Sequence, residues 1–98
     1  MGASTDKLTE QLMDALCELH SSEEFRAFLS DLLTPRELQE FAQRLEVALL
    51  LDQGVSYVGV SRQTGASSTT VSRVSKCLNG EVGGYRLVLD RLTPDDSE

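Results

Sequence analysis

Thr34-Pro35-Arg36-Glu37 is the strongest helix start in this sequence, and the helix it opens cannot be left bare. Thr34 has the side chain of an N-cap, Pro35 suits the first helical position because its missing N–H costs nothing there, and Glu37 completes a capping box. The helix is predicted over residues 35–53, with Gly54 as a left-handed stop. Leu38, Phe41, Ala42, Leu45, Ala48 and Leu49 form its main apolar stripe, and Val47, Leu50 and Leu51 add a second face in its later half. A helix apolar around most of its circumference must be covered on several sides. A chain of 98 residues buries only a modest share of its surface alone, so a second subunit is the expected source of that cover.

The rest of the chain also reads as helix. Residues 6–20, with Thr5 as cap, place Leu8, Leu12, Ala15, Leu16 and Leu19 on one stripe. Ser21 and Glu24 form a capping box for a helix over 22–33, whose stripe is Phe25, Phe28, Leu29 and Leu32. Short helices over 57–63 and 68–79 flank Thr64-Gly65-Ala66. Asn79-Gly80 and Gly83-Gly84 break the chain before a last helix over 84–92, which carries Tyr85, Val88, Leu89 and Leu92. Thr93-Pro94 ends it, leaving an acidic tail over 93–98. No stretch alternates with period two. The expected class is all-α, with six helices in a single domain over residues 1–98.

Apolar residues at 40% and charged residues at 26% are ordinary globular values and argue against disorder. No apolar run reaches the roughly 18 residues of a membrane span, and the N-terminus lacks the basic-then-apolar pattern of a secretory signal. A cytoplasmic protein with no membrane partner is expected. Cys17 and Cys77 stand sixty positions apart outside any CxxC pair, and His20 is the only histidine. Two buried thiols, with no disulfide, metal or cofactor, are the expected reading.

The net charge of −7 is divided unevenly along the chain. Residues 1–53 hold four basic and eleven acidic side chains, whereas residues 54–92 hold Arg62, Arg73, Lys76, Arg86 and Arg91 against only Glu81 and Asp90. Affinity for nucleic acid follows the local footprint rather than the global sum.

That basic stretch contains the demands of a helix-turn-helix. Such a motif needs two short helices at a steep angle, a turn with a residue at positive φ, small residues inside and a few apolar anchors. Gly65 stands at the turn, Val60 and Ser61 precede it on the inner face, and Ala66, Val71 and Val74 supply anchors. Gly59 and Ser61 fit the motif less well, since Gly weakens a helix and Ala is commoner at the Ser61 position. The outward face is then Ser67, Ser68, Thr69, Ser72, Arg73 and Lys76, with Thr70 at its edge and Arg62 as a backbone contact from the first helix. Hydroxyls bond base edges or phosphates, and arginine reads guanine bidentately. The pattern predicts double-stranded DNA as the partner.

Leu32-Leu33-Thr34-Pro35-Arg36-Glu37, Gln43-Arg44-Leu45-Glu46-Val47-Ala48, Thr64-Gly65-Ala66-Ser67, Val71-Ser72-Arg73-Val74 and Gly83-Gly84-Tyr85-Arg86-Leu87-Val88-Leu89 together resemble the Trp-repressor superfamily. The chain is most similar to the YerC/YecD-type branch of its TrpR-related proteins, over roughly residues 10–92. The resemblance implies a six-helix TrpR-like fold in an intertwined homodimer. The first three helices would interlock between subunits and the fourth and fifth would form a reading head. It also implies a transcription regulator, a repressor, that binds an operator of two-fold symmetry.

The tryptophan-responsive relatives hold their ligand between two arginines with a threonine nearby, and those positions fall on Arg44, Arg73 and Thr34. The glycine that leaves room for the indole falls on Val74, and the serine that holds the ligand's amino group falls on Cys77. Valine methyls fill such a space and a thiol is a poor acceptor. The site is therefore expected to take no tryptophan, leaving any effector small molecule unidentified. Thr34 also reads as a helix cap, Arg73 as a DNA contact and Arg44 as a partner for nearby carboxylates. No nucleophile–base pair, Walker loop or dinucleotide fingerprint is present, so no enzyme is expected. One alternative stays open: a non-DNA protein–protein interaction module using the same helix pair.

Overall fold

The computed structural model describes residues 2–92, and the tail expected over 93–98 lies outside them. Among the described residues there are six α-helices and no strand. They are α1 (Gly2–Cys17), α2 (Ser22–Leu32), α3 (Pro35–Asp52), α4 (Tyr57–Thr64), α5 (Ser68–Leu78) and α6 (Gly84–Leu92). The chain divides into two compact units between Leu38 and Gln39, inside the first turn of α3.

In the first unit, the Thr34–Glu37 capping box closes in both directions, whereas at Ser21 only the N-cap half of the expected box forms. Ser21 Oγ accepts from the Glu24 N–H at 3.1 Å. Thr34 Oγ1 accepts from the Glu37 N–H at 3.1 Å while Glu37 Oε1 accepts from the Thr34 N–H at 2.9 Å. The first helix departs from its expected bounds, beginning upstream of Thr5 and stopping at Cys17 rather than residue 20. Its end tightens into i→i+3 bonds, from the Glu18 N–H to the Ala15 carbonyl and from the Leu19 N–H to the Leu16 carbonyl. The His20 N–H is then taken by Glu24 Oε1 at 2.7 Å, which commits that backbone to the start of α2.

The second unit holds the core. Val47 and Ala48 of α3, Val60 of α4, Ala66 of the following turn, Val71, Val74 and Leu78 of α5, and Leu89 of α6 are buried together. Leu45, Leu49, Leu50, Leu51, Val55 and Tyr85 pack partly buried against them. Both apolar faces expected on the later half of α3 are thus used. Gly54, at φ 89°, and Gly65, at φ 78°, make the chain reversals after α3 and α4. Arg86 of α6 is bound on both sides, its Nη2 at 2.7 Å from Asp52 Oδ1 and its Nη1 at 3.3 Å from Asp90 Oδ1.

The expected burial of the cysteines is overturned: Cys17 and Cys77 are both exposed free thiols. Cys77 lies off the buried face of Val71, Val74 and Leu78, where helical spacing rather than thiol hydrophobicity decides exposure. Among the described residues no helix is long and apolar enough to cross a membrane.

Candidate nucleic-acid interface

The helix pair α4–α5 is held by side chains that sequence pattern alone undervalues. Ser56 caps α4, its Oγ accepting from the Gly59 N–H at 3.0 Å. A Cβ at Gly59 would meet Val55 Cγ1 at 3.0 Å and Ser56 Oγ at 3.1 Å, so glycine relieves crowding around this cap. At the other end, Ser61 Oγ donates to the Ala66 carbonyl at 2.6 Å. Thr64 Oγ1 donates to the Val60 carbonyl at 2.8 Å and accepts from the Ala66 N–H at 3.1 Å. Gln43 Nε2 reaches from α3 to the Thr64 carbonyl at 3.1 Å. Ser61, an unusual residue for such a position, is therefore a stitch across the turn. The Thr64 carbonyl and the Ala66 N–H and carbonyl, on either side of the left-handed Gly65, thus all find partners nearby.

Ser67 caps α5, accepting from the Thr70 N–H at 3.1 Å and donating to Thr70 Oγ1 at 3.1 Å. These two hydroxyls are engaged with each other. On the inner face Ser75 is buried, accepting at Oγ from the Tyr57 hydroxyl at 2.5 Å, so the start of α4 is tied to the middle of α5. Asn79 ends the helix, its Nδ2 donating to the Ser75 carbonyl at 2.9 Å.

Opposite that buried face, Ser68, Thr69, Ser72, Arg73 and Lys76 are exposed. With Tyr57 they line an open groove of about 650 Å³. Arg62, exposed in the last turn of α4, shares an adjoining concavity of about 390 Å³ with Tyr57, Val58, Ser61 and Ser68. None of Arg62, Arg73 and Lys76 forms an ion pair among the described residues, whereas Arg86 is neutralised by Asp52 and Asp90. Three of the five cations of residues 54–92 thus gather on one surface. Such a surface presents cations, hydroxyls and a helix N-terminus, the groups that bind phosphate and base edges.

The candidate effector residues are partly assembled. Arg44, Arg73, Val74 and Cys77 line a cavity of about 300 Å³ together with Thr69, Thr70 and Tyr85. Thr34 belongs to the other unit, where it caps α3. Val74 is only 3% exposed and packs in the core, so its side chain is a fixed wall of this cavity. Arg44 does not pair with a carboxylate among the described residues; its guanidinium lies 5.7 Å from the Phe41 ring centroid, where the ring face attracts it. Tyr85, whose spacing marks only an apolar position of α6, also lines this cavity. Burial pushes its hydroxyl above its ordinary pKa and the Cys77 thiolate adds to this, while Arg44 and Arg73 oppose it.

Comparison with known proteins agrees with this architecture. The model of the family described as Trp repressor protein matches residues 7–93. YerC, an uncharacterized protein of Bacillus subtilis (strain 168), is 41% identical over 92 residues, covering 94% of this chain and 88% of that protein. The crystal structure of a TrpR like protein from Eubacterium eligens ATCC 27750 superposes with a TM-score of 0.80 at 38% identity, covering 88% of this chain and 89% of that one. A Staphylococcus aureus protein of solved structure gives a TM-score of 0.81 at 37% identity, covering 88% of this chain and 86% of that one.

Proposed function

The chain belongs to the Trp repressor protein family, and from that premise we propose that it is a sequence-specific DNA-binding transcription regulator, a repressor acting as a cytoplasmic homodimer. The observation that carries this reading is the outer face of α5 with the end of α4. There, among the described residues, Arg62, Arg73 and Lys76 stand free of ion pairs beside the unengaged hydroxyls of Ser68, Thr69 and Ser72. In this reading α4–α5 is a helix-turn-helix, and α5 enters the major groove. Arg73 and Lys76 contact phosphate or guanine, Ser68, Thr69 and Ser72 contact base edges and phosphates, and Arg62 holds the backbone. Ser67 and Thr70 serve mainly through the cap they build.

The homodimer is supported by apolar surface that one chain leaves bare. No described residue from 6 to 46 is buried, although the stripes of α1, α2 and early α3 are apolar; Leu8 is 65% exposed and Phe41 50%. Patches of that kind are covered by a partner, and a two-fold pair would present two reading heads to grooves about one DNA turn apart, about 34 Å. In our reading the head is held by Val74 and needs no tryptophan. The test is selection of bound duplexes from fragmented genomic DNA, with light scattering on the same sample. Enrichment of a two-fold symmetric site by a particle of twice the 10.8 kDa chain mass is expected. Failure to enrich any duplex would overturn the reading in favour of a protein-binding module.

A further inference from the structure

Two exposed apolar side chains interrupt the polar surface described above. Tyr57 and Val58, the first two residues of α4, are 52% and 66% exposed. Tyr57 borders both concavities, and Val58 borders the one that holds Arg62 and Ser68. Among the described residues neither concavity has an acidic side chain in its lining. The polar atoms beside the pair are already engaged, the Tyr57 hydroxyl by Ser75 Oγ and Ser56 Oγ by the Gly59 N–H. What the start of α4 offers a ligand is therefore apolar surface, rimmed by cations and hydroxyls.

From this arrangement we propose that Val58, backed by the Tyr57 ring, determines sequence specificity by contacting the 5-methyl group of a thymine in each half-site. The inference rests on the regulator reading and adds to it what the second reading element recognises. Charge complementarity selects the occupant. A surface of cations without acids fits a polyanion, and a protein partner apolar enough for Val58 would leave Arg62 and Arg73 without counter-charges. Within the major groove of DNA, thymine alone among the four bases presents a methyl group. The engaged Tyr57 hydroxyl fixes the ring as a wall, so the contact costs little side-chain freedom.

The experiment uses the full chain and duplexes it enriches from a randomised pool. Each thymine is replaced in turn by uracil, which removes the methyl and keeps every hydrogen-bonding atom. Wild-type protein is expected to lose about fourfold in affinity at one thymine per half-site, the effect of withdrawing about one methyl from apolar contact. Val58→Asn, which replaces the branched methyls by a neutral polar amide, binds both duplexes with that difference erased and with the salt dependence of binding unchanged. Equal wild-type affinity for thymine and uracil at every position overturns the inference, as does a difference that survives in Val58→Asn. If no duplex is enriched at all, the regulator reading itself fails and the inference falls with it, so the two failures are separable.

Discussion

Ser61 shows how one side chain decides whether a turn holds. Its hydroxyl donates to the Ala66 carbonyl at 2.6 Å, beneath the left-handed Gly65. The expected cost of Ser61→Ala is about 1 kcal/mol, the net worth of a half-buried hydrogen bond, read as a lower midpoint in urea unfolding. Affinity for DNA should fall with it, because the same bond sets the angle between α4 and α5. Asp52 makes a different kind of contribution. Its hydrogen bond to Arg86 holds its carboxyl below the ordinary value of 3.8, against a smaller opposing effect of burial. A carboxylate with a depressed folded pKa stabilises the fold fully above its unfolded pKa and loses that contribution as pH falls through the folded one. Asp52→Asn should therefore melt slightly lower than wild type at neutral pH, with the gap closing below about pH 4. Added salt should shrink the gap at neutral pH, since the pair is exposed. A gap that widens on acidification would contradict the pairing.

At the scale of the helix, α5 carries opposite roles on its two faces. Val71, Val74, Ser75 and Leu78 are buried while Ser68, Thr69, Ser72, Arg73 and Lys76 face outward, a division that follows from 3.6 residues per turn. Val74 is buried in the core and forms one wall of the cavity of Arg44, Arg73 and Tyr85, so its methyls stand where a glycine would leave further room. Titration calorimetry of wild type with L-tryptophan should accordingly show no heat of binding, and micromolar binding would contradict the account of Val74. Much of this element was legible in the sequence: the apolar spacing at Val71, Val74 and Leu78, the turn at Gly65 and the serine cap all mark it. Less was legible where tertiary contact decides. Ser61 and Gly59 looked like poor fits because periodicity says nothing of a bond to Ala66 or of crowding at Val55. Tyr57 and Tyr85 carry no polar signature in the sequence, since an aromatic residue at a helix start reads as apolar. Arg86 reads in the sequence as one more cation of residues 54–92, and only tertiary contact gives it Asp52 of α3 as a partner. The cysteines were misjudged by residue type, when position on the helix set their exposure.

Across the whole molecule, net charge and local charge point in opposite directions. The chain carries −7 overall, yet three cations without ion pairs share one face of the α4–α5 pair. The acidic remainder should repel DNA that is not docked at that face, which keeps nonspecific binding weak. Apolar stripes left uncovered on α1, α2 and early α3 call for a second copy, and two copies would double the cationic footprint to about six charges. Each neutralised phosphate contributes about −0.9 to the slope of log affinity against log salt. The most direct measurement is therefore a fluorescence-polarisation titration of the enriched duplex across salt concentrations. Wild type is expected to give a slope of about −5, and Arg73→Ala with Lys76→Ala together about −2, with far-ultraviolet circular dichroism unchanged. A slope near zero for wild type, or one that the paired substitution leaves untouched, would contradict the claim that this face meets the DNA backbone.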